Sequence, residues 1–225
     1  MIGLRPFDVI AFDFDGVIAD TVGDIAVAAN EVLVGLDLPA VPTSTVRAKI
    51  GGGVEALVRG LLAGHPEIPL DEAATRFRAS YGRCFDETTT LFPDVTEVLD
   101  RLDAEGLRMA IATNKAEALT VHLVKKLGIA RHFFLIVGPE SVARRKPDPE
   151  TVTRIVTAAD VLPDRALMVG DTAADIQSGR AAGTGTCAVS YGYGDETELA
   201  ETRPDFTIRR FVDLLDHVGA PVGRA

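Results

Sequence analysis

Phe7-Asp8-Val9-Ile10-Ala11-Phe12-Asp13-Phe14-Asp15-Gly16-Val17 is a short apolar run that ends on two carboxylates and a glycine. Val9 to Phe12 are apolar without alternation, the pattern of a strand covered on both faces, as in a parallel sheet. Similar runs recur at 107–113, 133–138, 166–170 and 186–190, with a weaker one at 205–208. Segments of helical spacing lie between them, such as Val95, Val98, Leu99 and Leu102, or Val152, Ile155, Val156 and Ala159. Strand and helix alternating in this way predict an α/β protein with a doubly wound parallel sheet.

After residue 107 each gap between runs suits a single helical crossover. The stretch from 13 to 107 is far too long for one, and a structureless loop of that length is implausible. Helical stripes fill it. Ile25, Ala28, Ala29, Val32, Leu33 and Leu36 form the first, and Val54, Leu57, Val58, Leu61 and Leu62 the second; a third segment runs from 70 to 85. The reading is therefore a helical cap inserted at 17–90, with 1–16 and 91–225 forming the α/β core. The insert leaves the sheet at the C-terminal end of the first strand, the edge where open α/β sheets bind ligands, and is placed to act as a lid.

Composition narrows the partners. The chain has 225 residues, 47% of them hydrophobic and 25% charged, with 23 Lys and Arg against 33 Asp and Glu, for a net charge of −10. Such a surface repels nucleic acid and anionic membranes. No apolar run approaches the ~18 residues that span a bilayer. Asp8 and Asp13 also break up the apolar stretch that a secretory leader would need. Cys84 and Cys187 show no CxxC spacing, so a reducing compartment is expected. The four histidines lack metal-ligand spacing. These features predict a cytoplasmic monomer or homodimer that handles a small molecule and binds neither nucleic acid nor membrane.

The chemistry gathers at strand ends. Asp13 and Asp15 point to the same side of an extended chain, and two such carboxylates ionise together only beside a cation. A hard divalent ion, Mg²⁺, suits them, although Asp at a strand end also serves turns. Gly170-Asp171-Thr172 ends another run, with Asp175 one helical turn on. Asp171 is a metal ligand, or else it or Thr172 caps the helix that starts there, and Asp175 is a further ligand or support. Thr113-Asn114-Lys115 offers a hydroxyl and the N–H groups of a helix start, an anion site or again a cap. Arg144-Arg145-Lys146-Pro147-Asp148-Pro149 holds a lysine in a stiff loop, either near the acidic edge or in solvent.

The ordered set, acidic pair, hydroxyl, lysine and second acidic pair, resembles the haloacid dehalogenase superfamily of phosphotransferases over essentially the whole chain. The resemblance implies that Asp13 is the nucleophile of an aspartyl-phosphate and Asp15 the general acid and base. It implies that Thr113 and Lys146 bind the transferring phosphoryl group. It further implies a Mg²⁺ held by Asp13, Asp171 and the main-chain carbonyl of Asp15, with Asp175 in support. Dehalogenases lack the second acid, so Asp15 argues against carbon–halogen cleavage. Phosphonatases carry a small residue there and use a cap lysine. Sugar phosphomutases carry a histidine where this chain has Ile25.

Ile50-Gly51-Gly52-Gly53, Thr113-Asn114-Lys115 and Ser190-Tyr191-Gly192-Tyr193-Gly194 are similar to the phosphoglycolate phosphatase group. That likeness implies hydrolysis of a small phosphate monoester, 2-phosphoglycolate. Gly52 and Asn114 are the expected substrate-binding residues, and Arg47 or Lys49 the expected partner of a substrate carboxylate. The competing readings are a phosphomutase or pyrophosphatase of the same superfamily, and a non-catalytic phosphometabolite-binding module.

Overall fold

The computed structural model describes residues 6–219; the outer ends of the expected core segments, residues 1–5 and 220–225, lie outside these. The chain runs through β1 (Val9–Phe12), β2 (Ala19–Asp20), α1 (Val22–Val34), α2 (Thr43–Arg47), α3 (Val54–Leu61), α4 (Leu70–Cys84) and β3 (Thr90–Leu91). It continues with α5 (Val95–Ala104), β4 (Arg108–Ala112), α6 (Glu117–Lys126), β5 (Phe133–Val137), α7 (Glu150–Ala159) and β6 (Ala166–Gly170). The last elements used below are α8 (Ala173–Ala181), β7 (Gly185–Val189), α9 (Glu196–Glu201) and β8 (Phe206–Ile208). Six strands pair in the order β5-β4-β1-β6-β7-β8, every pair parallel.

The unbroken apolar run of β1 follows from its central place. Ile10 and Phe12 face an apolar cluster with Leu99, Leu102 and Phe211, while Val9 and Ala11 face another with Val152 and Ile155. Burying each such large side chain contributes about 1.5–3 kcal/mol, so both faces hold the strand. The six expected runs all form strands, with ends within two residues of the reading.

From β1 the chain steps outward through β4 to β5, then returns to β6 on the opposite side of β1. The C-terminal ends of β4, β1 and β6 thus border the switch point, where connections diverge and leave a crevice.

Helices α1 to α4 fill the long interval after β1 and share their own apolar cluster, centred on Ile25, Ala29, Val58 and Phe77. The segment leaves and rejoins the sheet through a ribbon in which β2 pairs antiparallel with β3. Asp24 ties the two ends together inside it. Its carboxylate accepts hydrogen bonds from the backbone N–H and hydroxyl of both Thr88 and Thr89, at 2.6 to 3.0 Å. Asp24 is 1% exposed, and Asp24→Ala removes the acceptor of all four donors, leaving the buried Thr89 N–H unpaired and an apolar methyl in place of the clamp. Urea denaturation of that variant should show a loss of about 3 kcal/mol; a loss below about 0.5 kcal/mol would contradict the clamp. Among the described residues no helix is long and apolar enough to cross a membrane.

Candidate active site

Asp13, Thr113 and Asp171 each come one residue after the end of β1, β4 and β6. The sheet ladder still holds the first two in place: Asp13 N donates to Val169 O at 2.9 Å and Thr113 N to Val137 O at 3.0 Å. Gly16 follows with φ +83°, and a Cβ there would lie 2.2 Å from Asp171 Oδ2. Only glycine lets the chain turn so close to that carboxylate. Gly192 is pressed equally close from the other side, its Cβ position 2.2 Å from Asp171 Cβ. Its neighbour Tyr193 donates its N–H to Asp171 Oδ2 at 2.6 Å.

Lys146 reaches this crevice from the loop after β5. Asn114 fixes that loop, its amide oxygen accepting from Lys146 N and its Nδ2 donating to Lys146 O, both at 3.1 Å. The ammonium donates to Ala112 O at 2.5 Å and Asp175 Oδ1 at 2.6 Å, and lies 3.0 Å from Asp13 Oδ1. A lysine has three N–H donors, and all three are taken. Burial opposes the charge of Lys146, yet Asp13 and Asp175 outweigh it and push its pKa up to about 12. Burial likewise drives the Asp13 carboxyl up to about 7 against the pull of Lys146, with Asp175 and Asp15 adding to the rise. Asp171 is raised well above the usual carboxylate range, first by burial and then by Asp175 and Asp13.

Two of three clustered buried carboxylates therefore pair with the one ammonium. Asp13, Asp171 and Asp175 each bring an oxygen within 4.8 Å of the others, and Asp171 Oδ1 is buried without a hydrogen-bond partner. A buried charged oxygen without a donor is costly. The donor set, all hard oxygen, suits a divalent cation such as Mg²⁺; the residues fit one. Thr172 caps α8 together with Asp175, whose Oδ2 accepts from Thr172 N at 3.0 Å and Thr172 Oγ1 at 2.6 Å.

The Asp15 side chain stands apart from that trio. Its Oδ1 accepts from Thr21 Oγ1 at 2.7 Å and from Lys115 Nζ at 3.1 Å. Lys115 donates in turn to Tyr81 Oη of α4 at 2.5 Å, with its ammonium 4.6 Å from that ring's centroid. Burial opposes the lysine's charge, but Asp15 and Tyr81 carry its pKa upward all the same.

Asp13, Asp15, Thr113, Asn114 and Lys115 line one end of a cavity of about 220 Å³ that extends under α1, α3 and α4. Three expectations change here. Gly51 and Gly53 line the cavity but Gly52 does not: it is exposed, and a Cβ on it would meet Ala56. The Asn114 amide is committed to Gly51 O and to Lys146, so it positions the loop and has no donor left for substrate. Arg47 is drawn off to the carbonyls of Tyr191 and Gly192, and the Lys49 stem runs over Gly60. Besides Lys115, the cation at the cavity wall is Arg78 of α4, paired with Glu55. Sequence reasoning passed over Lys115, Tyr81 and Arg78. Only Lys115, directly after Thr113-Asn114 at a strand end, carried a signal.

Asp13 and Asp15 at the end of the central strand, Lys146 beside Asp13 and a buried acidic trio put the polar chemistry of this α/β fold at the sheet switch point. The model of the haloacid dehalogenase-like hydrolase family matches residues 10–189, and the chain belongs to that family. It is 32% identical to a phosphoglycolate phosphatase of Salmonella choleraesuis, over 94% of this chain and 92% of that one. It is 34% identical to a phosphoglycolate phosphatase of Chromobacterium violaceum, over 95% and 97%. Among solved structures, a predicted phosphoglycolate phosphatase from Haemophilus somnus superposes with a TM-score of 0.89 at 26% identity, covering 95% of this chain and 99% of that one.

Proposed function

We propose that the chain is a Mg²⁺-dependent phosphatase that hydrolyses a small phosphate monoester, 2-phosphoglycolate, through an aspartyl-phosphate on Asp13. The observation that carries this reading is the Asp13 carboxylate itself, aimed at the cavity with Lys146 3.0 Å from its Oδ1. The similarity to curated phosphoglycolate phosphatases supports the choice of ester.

Asp13 attacks phosphorus, and the bond to the ester oxygen breaks. Asp15, across the cavity end, gives its proton to the departing oxygen and then takes one from the water that opens the aspartyl-phosphate. Lys146 neutralises and aims Asp13, while Thr113 offers its hydroxyl to the phosphoryl group. Asp13, Asp171 and the Asp15 main-chain carbonyl would hold Mg²⁺, with Asp175 in support. When bound, the ion supplies the positive charge that keeps Asp13 ionised near a phosphate dianion. The segment 17–90 acts as the cap that closes over the ester and excludes water. Ile25 puts hydrocarbon at the cavity, where a mutase would need a proton-carrying group. Two buried free thiols suit a cytoplasmic site of action.

The purified protein with Mg²⁺ should release phosphate from 2-phosphoglycolate, lose that activity in EDTA and regain it on Mg²⁺ addition. Neglect of phosphoglycolate alongside efficient cleavage of pyrophosphate or hexose phosphates would overturn the substrate. Undiminished turnover in metal-free buffer would overturn the metal. Asp15→Asn gives a finer test. Alkyl phosphates should lose roughly 10²–10⁴-fold, but aryl phosphates with good leaving groups far less; equal losses would remove Asp15 from the acid role.

A further inference from the structure

The cavity has two unlike ends. Asp13, Asp15 and Thr113 stand at one, whereas most of the remaining wall is hydrocarbon from Ile25, Val54, Leu57, Phe77 and Leu119. These side chains belong to, or pack against, the apolar cluster of the helical segment, and Leu119 joins it from α6 on the core side. The hollow is thus part of a packed apolar unit and is walled on both sides.

Glycolate makes poor use of such a wall. It offers a single methylene, and away from Lys115 and Arg78 its carboxylate would lose water against hydrocarbon. The volume is also generous. About 220 Å³ is many times the ~10–15 Å³ that one water needs on the same measure, more than a phosphoryl group and two carbons fill.

Resting on the phosphatase reading above, we infer that the site takes phosphate monoesters whose alcohol carries an aliphatic or aromatic group larger than the methylene of glycolate. The phosphoryl group lies at Asp13 and Thr113, and the organic group lies against Val54, Leu57, Phe77 and Leu119. Arg78 stands at the wall with Glu55, and Glu55 also holds Arg145 at 2.8 Å. Two guanidinium groups facing one carboxylate leave a net positive charge there, so an acid group on the same alcohol is tolerated at that place.

A homologous series reads this directly. Methyl, ethyl, propyl and butyl phosphates have leaving groups of nearly equal basicity, so differences in kcat/KM report on the wall. Each added methylene should raise kcat/KM about fourfold, the ~0.8 kcal/mol of burying one, until the cavity is full. Butyl phosphate should then exceed methyl phosphate by roughly 60-fold. In Val54→Ser, a half-buried position that tolerates polarity, the increment per methylene should shrink; the slope within each protein is compared, not its absolute rate. A flat or falling series in an enzyme that still hydrolyses methyl phosphate or phosphoglycolate overturns this inference and leaves the phosphatase standing. An unchanged slope in Val54→Ser also overturns it. Failure to hydrolyse any ester, phosphoglycolate included, overturns the phosphatase reading and this inference with it.

Discussion

Asp13→Asn should lower turnover of 2-phosphoglycolate by at least about 10⁴-fold, as loss of a covalent nucleophile does elsewhere, while the fold survives. The amide oxygen can still accept from Phe14 N, which donates to Asp13 Oδ1 at 2.7 Å, so the strand end keeps its local geometry. What disappears is the nucleophilic charge. The same change has a second signature in stability. The folded Asp13 carboxyl titrates near 7 against an ordinary 3.8, so the folded state holds its proton more tightly than the unfolded state. Stability from this group is complete below about pH 4 and drains away as pH rises to about 7. Metal-free wild type should therefore lose stability across that window relative to Asp13→Asn, and the gap should level off above it. Thermal melts of both proteins at pH 4, 6 and 8 would show this. More than a trace of wild-type kcat in the variant would remove Asp13 from the nucleophile's role.

Lys146→Met carries the largest expected effect on folding. The ammonium is buried and is shared by Asp13 and Asp175, and its loss leaves buried carboxylates with no counter-charge. Removing one partner of a buried pair costs about 3–5 kcal/mol, which for a chain of this size lowers Tm by roughly 6–20 °C. The deficit should shrink in acid, where the orphaned carboxyls take up protons. A Tm within a degree of wild type at pH 8 in metal-free buffer would contradict the network. Turnover should collapse together with stability, since Asp13 is held in place by the same group.

The sheet was legible because its strands are covered on both faces, so unbroken runs such as Val9 to Phe12 stand out against the helices. The chemistry at its edge was legible for a related reason: each reactive group directly follows a run, and parallel strands send those ends to one place. Groups brought in from elsewhere were hidden. Tyr81 sits in an apolar stripe of α4 and reads as core, yet its hydroxyl meets Lys115 from the far side of the cavity. Asn114 follows a strand end like its neighbours, but only the folded chain reveals that Gly51 and Lys146 consume its amide. The β2–β3 ribbon has two residues per strand, too few for any periodicity to register.

That ribbon and the separate apolar cluster beyond it bear on motion. Apart from Leu119, the cluster of α1 to α4 is built from the segment's own residues, of which Phe85 also packs against the core cluster. Several links to the sheet side are polar: Asn114 to Gly51, Arg47 to Tyr191, Tyr81 to Lys115 and Glu55 to Arg145. Such bonds trade for water at little net expense, so an opening in which the helices left the sheet together would keep their own interior dry. Amide hydrogen exchange would separate that opening from melting. The N–H groups of Thr88 and Thr89, bonded to Asp24 within the helical segment, should stay protected through any such opening and exchange only when the helices themselves come apart.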